Sequence, residues 1–343
     1  MSKENQFFKN VMVITAIATV VFVGCLKEEL SDDSDIIDIF AFTVEEQQKL
    51  NTIITKYSSI TTNFPGGFFV SVPTTTPSYT IGEVKNEVLQ AGVDAINIVR
   101  YIAGIPYDVV PDAEYTNRNQ HAAVLLTAIN QLTHYPSKPA DMDDDFFNKG
   151  YRGASSSNII SAANAPSSTV FSYMNDSDQS NISSVGHRRW ILNPPMKKTG
   201  FGIGATKFGL MYAFDTSRGT IDYDYVAWPS PGVFPISFFS NNHAWSISVN
   251  SQKYGSPDAD KIEVTLKHLN NDQEWKFSKN TPSSTTTRSA FFNVDKSGYG
   301  INNCIIFRPG LDSSFKYQEG DVFQVTISGL DKELSYIVKM FSM

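Results

Sequence analysis

The sequence predicts an α+β chain in two parts, helices around a small sheet followed by a run of strands, and three observations carry that prediction. From Val84 to Ile102 the apolar residues Val84, Val88, Ala91, Ala95, Ile98 and Ile102 recur at helix-face spacing. From Trp245 onward they alternate in short runs separated by turns, the period of strands. The 343 residues amount to about two domains of ordinary size, and a hydrophobic content of 41% is enough for packed cores. Lys and Arg number 28 against 35 Asp and Glu, a net charge of -7, which excludes a broad basic surface for nucleic acid. Cysteine occurs only at Cys25 and Cys304, so a disulfide-dense scaffold is excluded as well.

The N-terminus comes first in chain order. Lys3 and Lys9 precede an apolar or small stretch from Val11 to Gly24, followed by Cys25 and Leu26-Lys27-Glu28. Charge, apolar core, small residues and cysteine form the order of an export segment, and the stretch is shorter than the ~20 residues a permanent span needs. These residues resemble a bacterial lipoprotein signal, although Phe22 stands where that pattern usually has Leu. The resemblance implies removal of residues 1–24 and acylation of Cys25, with several acyl chains making the membrane anchoring stable. A simple anchor or an uncleaved signal is the other reading, and either exports the body. Leu26 directly after the cysteine, in place of Asp, weighs towards the outer membrane or the cell surface.

Residues 25–78 are expected to form a tether with one short helix over Val44 to Tyr57, between an acidic stretch at 31–38 and a Ser, Thr, Pro and Gly-rich one at 58–78. The helix from Val84 stops at Gly104 and Pro106. A second runs through Ala122, Leu125, Leu126, Ile129 and Leu132 and ends at His134-Tyr135-Pro136, which puts His134 at a helix C-terminus, where cationic donors are favoured. His121 falls at the start of that pattern as a partly exposed helix residue. A shorter helix includes Phe171 to Met174, and Arg188 to Leu192 is stopped by Asn193-Pro194-Pro195. Gly200-Phe201-Gly202-Ile203-Gly204 and Leu210 to Phe214 read as two strands. The glycines lack the strand, turn and helix order of a dinucleotide loop. Beyond Tyr223, strands at Trp245 to Val249, Ile262 to Leu266, Trp275 to Phe277, Cys304 to Phe307, Val322 to Ile327 and Leu334 to Met340 suggest a β-sandwich. Cys304 lies in one of these apolar runs, as a buried small hydrophobe.

Four landmarks in order then carry a family resemblance. They are Leu132-Thr133-His134 with Pro136, Ser157-Asn158-Ile159, Gly186-His187-Arg188-Arg189-Trp190-Ile191-Leu192-Asn193-Pro194, and Lys198-Thr199-Gly200-Phe201-Gly202. With them, residues 79–225 resemble the CAP superfamily (SCP-like; cysteine-rich secretory, antigen 5 and pathogenesis-related-1 proteins) in its cysteine-poor bacterial form. The resemblance implies a three-layer α-β-α sandwich with two histidines and two acids lining a cleft that holds a metal ion in some members. Val226-Ala227-Trp228-Pro229 and Val233-Phe234-Pro235 resemble the start of the immunoglobulin-like module that follows some bacterial CAP domains, here residues 226–343. The family histidines fall on His134 and His187. The first acid, from a Gly-Glu-Asn-Ile segment, is replaced by Ser157, and for the second the chain offers Tyr173, Asn175 and Asp176.

The expected cleft therefore comprises His134, Ser157, Asn158, Asp176, His187 and Arg188. His134 and His187 are the candidate ligands for a divalent metal such as zinc, but a stable zinc site usually has three or four protein ligands. Asp176 or water is then needed to complete it, with Ser157 or Asn158 fixing a tautomer. A serine hydrolase built on Ser155, Ser156 or Ser157 lacks the nucleophile elbow. Arg188 and Arg189 are expected either to grip an anion or to pair with the acidic stretch Asp141 to Asp145. Trp228 either packs between the two parts or is an exposed glycan or protein contact. Together these features predict an exported, lipid-anchored protein that binds a lipid, glycan or protein partner at the cell envelope. The rival is a metal-assisted hydrolase acting through His134, His187 and Asp176.

Overall fold

The computed structural model describes residues 39–343, so Cys25 and the export segment lie outside the described residues. Helix α1 (Val44–Ser58) starts from a reciprocal cap, in which the Glu46 amide donates to Thr43 Oγ1 at 3.1 Å and the Thr43 amide to Glu46 Oε2 at 2.9 Å. It is docked on its neighbours, with Ile53 fully buried. Strand β1 (Phe69–Ser71) pairs with β2 (Glu83–Val84), and α2 (Asn86–Ile102) follows. Val84 therefore belongs to a strand, and the predicted helix starts two residues later. Positive φ at Gly104 (72°), which glycine adopts without a Cβ penalty, ends that stretch.

Strand β3 (Val110–Pro111) leads into α3 (Ala113–Ile129), capped by Asp112 and closed by Asn130 in the left-handed region at φ 53°. The helix thus ends before Leu132, and His134 lies in the following loop, away from the helix terminus assigned to it. His121 sits inside α3, is buried, and faces the Phe146 ring at 4.5 Å, in place of the partly exposed position expected. Helix α4 (Asp144–Ser155) was not evident in the sequence: the acidic stretch 141–145 forms its start, with Asp143 capping the Asp145 amide at 2.8 Å. Its buried residues are Gly150, Gly153 and Ala154, small enough for backbone contact with α3 and too small to mark an apolar stripe.

Strand β4 (Ser157–Ile160), α5 (Pro166–Asn175), α6 (Gly186–Ile191), β5 (Lys198–Thr199), β6 (Phe201–Ile203) and β7 (Gly209–Tyr212) complete the first half. β5 pairs with β3, and the other three strands form an antiparallel sheet in the order β4-β7-β6. A Cβ at Gly200 or Gly202 would collide with the α3 backbone at Thr116 or Asn119. The alternating glycines therefore let a helix lie close on the sheet, which is the packing use of glycine.

The second half contributes β8 (Tyr225–Trp228), β9 (Gly232–Pro235), β10 (Trp245–Val249), β11 (Glu263–His268), β12 (Gln273–Phe277), β13 (Phe291–Asp295), β14 (Cys304–Arg308), β15 (Val322–Ser328) and β16 (Leu334–Phe341). All six strands expected after Tyr223 are present; β8 and β9, which fall on the Val226–Pro229 and Val233–Pro235 segments, and β13, set after a Ser and Thr-rich loop, are additional. They form one sheet in the order β13-β14-β10-β8 and another in the order β12-β11-β15-β16-β9, with β9 parallel to β16. Rings from the two sheets meet: Trp245 and Phe323 at 5.7 Å, Phe277 and Phe307 at 5.0 Å, Trp228 and Phe234 at 4.8 Å. The fold is thus mixed α+β, several helices and several sheets, with residues 40–343 in one compact unit. Trp228 is fully buried, and Ser230 next to it donates to the Ile102 carbonyl at the end of α2 at 2.7 Å. One apolar cluster holds residues of α2 and α5, Trp228 and residues of both large sheets. Lys339 of β16 reaches back to α1, where its ammonium donates to Ala41 O at 2.6 Å and to Glu46 Oε2 at 2.7 Å. Among the described residues no helix is long and apolar enough to cross a membrane.

Candidate functional site

Strand β4 carries Ser157 and Asn158, the loop after α3 carries His134, and the turn from α5 into α6 carries Asp176 and His187. Asp176 closes α5 in the left-handed region at φ 44°, a conformation that Asp tolerates better than most residues. That places its buried carboxylate against the start of α6. Its Oδ2 accepts the amides of His187 at 2.8 Å and Arg188 at 3.3 Å, while Oδ1 accepts from His187 Nδ1 at 2.7 Å. The Tyr173 ring stacks on the imidazole at 5.0 Å and 21°. Asn158 Nδ2 donates to the His187 carbonyl at 3.0 Å, so the residue is held at both ends. Burial alone lowers the His187 pKa, but the hydrogen bond and charge of Asp176, with Asp178 adding to them, outweigh it and raise the value above the ordinary 6.5.

His134 Nδ1 lies 2.8 Å from the Ala154 carbonyl. A carbonyl or carboxylate oxygen only accepts, so Nδ1 carries the proton in both imidazoles and Nε2 is the remaining basic position. Among the described residues neither Nε2 has a hydrogen-bond partner. Ser157 turns the other way: its hydroxyl donates to Asn119 Oδ1 at 2.8 Å, so that side chain is committed to α3.

His134, Ser157, Asn158 and His187 line one cavity of about 380 Å³, together with Tyr135, Trp190, Phe214 and Tyr299. Larger cavities of about 500 and 740 Å³ lie elsewhere and include no histidine. The sequence points to both histidines but gives no sign of the aromatic wall. Tyr299 comes from the loop between β13 and β14, more than a hundred residues from either histidine's strand and helix neighbours, and carries no local signal. Arg189 holds that loop. Its guanidinium pairs with Asp295 at 2.7 Å, donates to the Ile301 carbonyl at 2.9 and 2.7 Å, and lies over the Tyr299 ring at 5.2 Å. Gly186 allows the contact from the other side, since a Cβ there would stand 2.6 Å from the same ring.

Arg188 is not part of the cavity wall. It is fully buried and donates to Met174 O at 2.8 Å, Asn175 O at 2.6 Å, Ala244 O at 2.7 Å and Ser246 Oγ at 2.9 Å, so it fastens the α5–α6 turn to β10. Burial brings its pKa down to about 10. Neither arginine pairs with the stretch 141–145, which caps α4 instead. Cys304 is fully buried, and burial pushes its thiol pKa up, away from nucleophilic use.

The donor set does not fit a resident zinc ion. Among the described residues no group of three or more His, Cys, Asp and Glu could hold a metal, and Asp176 is already engaged by three N–H groups. Among the described residues no hydrogen bond joins Ser155, Ser156 or Ser157 to a histidine: Ser155 donates to Arg152 O at 3.3 Å and Ser157 to Asn119. What remains is a carboxylate-backed imidazole and a second imidazole in a cavity of hydroxyls, amides and aromatic rings. Compared with known proteins, the chain matches no family model and no curated protein.

Proposed function

We propose that the chain is an exported, lipid-anchored protein of CAP type, an α-β-α sandwich followed by an immunoglobulin-like β-sandwich, which binds a ligand at the cell envelope in the cleft between His134 and His187. One observation carries the reading: His134, Ser157, Asn158 and His187, drawn from three separate elements, line a single cavity, with Asp176 fixing His187 from behind. The helices against β4-β7-β6 and the ring contacts between the two larger sheets support the two-sandwich architecture. The hydrolase reading is weaker, because the metal it needs lacks a third protein ligand.

The test uses the full chain in detergent, incubated with envelope extract and analysed by mass spectrometry of the material it retains. A component retained saturably by the native protein and lost in the His134→Ala/His187→Ala variant, at unchanged melting temperature, supports the reading. Identical retention by both proteins overturns it. Separately, Cys25→Ala is expected to release the protein from the membrane fraction and to abolish incorporation of labelled fatty acid; unchanged partitioning and labelling refute the anchor.

A further inference from the structure

The wall of the histidine cavity has an unusual chemical make-up. It contains no Asp, Glu, Lys or Arg side chain. Two of its four aromatic members are exposed, Tyr135 at 75% and Phe214 at 47%, with Trp190 and Tyr299 half-buried. Trp190 stacks on Phe214 at 4.4 Å and 27°, which holds the Phe214 ring as a fixed plane with its remaining surface open. Exposed aromatic rings at a concave site are apolar surface left for a partner. Between them stand single hydrogen-bonding groups of both kinds. Asn181 spends its Nδ2 on Asp178 at 2.7 Å and keeps its Oδ1, Ser180 keeps its hydroxyl, and each histidine keeps Nε2.

A flat ring beside scattered single donors and acceptors matches a molecule with one C–H face and a rim of hydroxyls. An acyl chain would leave these polar groups unpaired, at a cost for each. A strongly anionic polymer would meet no lysine or arginine. The volume of about 380 Å³ lies within the ~300–1,000 Å³ of small-molecule sites. We infer that the cleft takes a neutral oligosaccharide, with a sugar ring against Phe214 and Tyr135 and its hydroxyls on the histidine Nε2 atoms and Asn181. This rests on the reading that the cleft binds a ligand and names its chemical class. The loop bearing Tyr299 belongs to the strand-rich half, so both halves shape the sugar site.

The test is calorimetric titration of the detergent-solubilised full chain with neutral hexasaccharides of glucose, mannose, galactose and N-acetylglucosamine. Hexagalacturonate, an uncharged alanine-rich hexapeptide and phosphatidylcholine vesicles serve as comparators. At least one neutral hexasaccharide is expected to bind saturably, with Kd raised tenfold or more by Phe214→Ala and by Tyr135→Ala, and unchanged by Tyr107→Ala, which removes an exposed ring at another cavity. Failure of every neutral hexasaccharide, or binding indifferent to Phe214→Ala and Tyr135→Ala, overturns the inference. Should hexagalacturonate, peptide or vesicle bind instead and be lost in His187→Ala, the ligand class is wrong while the cleft reading stands. Should no probe respond to any cleft variant and envelope retention also be unaffected, both fall.

Discussion

The Asp176–His187 pair has a pH signature of its own. The His187 pKa is raised in the folded protein, since the bond and charge of Asp176 exceed the opposing effect of burial. A group whose folded pKa exceeds its unfolded value contributes stability that is fully present below the unfolded pKa, here about 6.5, and is lost as pH rises through the folded pKa. Asp176→Asn removes the charge and is expected to bring the His187 pKa down, flattening that part of the stability profile. Histidine titration by NMR, with melting curves from pH 5 to 8, checks both; a His187 pKa unmoved by Asp176→Asn contradicts the assigned cause. At this scale the sequence was partly informative. His134 and His187 were legible from their motifs, and Asp176 only as one of three candidates. The misassigned partners, Arg188 in the cleft and His134 on a helix end, depend on where the chain turns. Asn130 and Asp176 take left-handed conformations that no residue pattern announced.

Among the elements, those with a broad apolar face were legible and those packed through small residues were not. α2 follows its stripe of Val88, Ala91, Ala95, Ile98 and Ile102, all buried. α4 does not, because its contact with α3 is made by Gly150, Gly153 and Ala154. A Cβ at Gly153 would strike the Arg118 carbonyl oxygen of α3. Gly153→Ala is therefore expected to destabilise the protein by about 1–3 kcal/mol, as overpacking does, despite alanine being the better helix former. Chemical denaturation measures this, and a stabilised variant would show that α3 and α4 yield at no cost. Because α4 carries Ala154, whose carbonyl fixes His134, the same substitution reaches the cleft.

On the scale of the whole molecule, the two halves are joined by more than a linker. Arg188 bonds to Ser246 of β10, Arg189 to Ile301 in the β13–β14 loop, Ser230 to α2, and one apolar cluster includes Trp228 with residues of both halves. Thermal unfolding of the full chain is accordingly expected as a single calorimetric transition, with van't Hoff and calorimetric enthalpies in agreement. Two resolved transitions would mean that the halves are energetically separate. The change of character after Tyr223 was visible in the sequence, since alternation replaces the helical period. The dependence of one half on the other was not, because it lies in arginines whose acceptors, backbone carbonyls with Ser246 and Asp295, are distant in sequence.

The bond from Lys339 to Ala41 and Glu46 has a mechanical consequence. If the body hangs from a lipid through the residues before Phe40, a pull along that segment is transmitted through Ala41. There the Lys339 ammonium, on a strand paired on one side with β15 and on the other with β9, takes up the load. Under such an anchor, traction would pass through this bond into the five-stranded sheet as well as along α1.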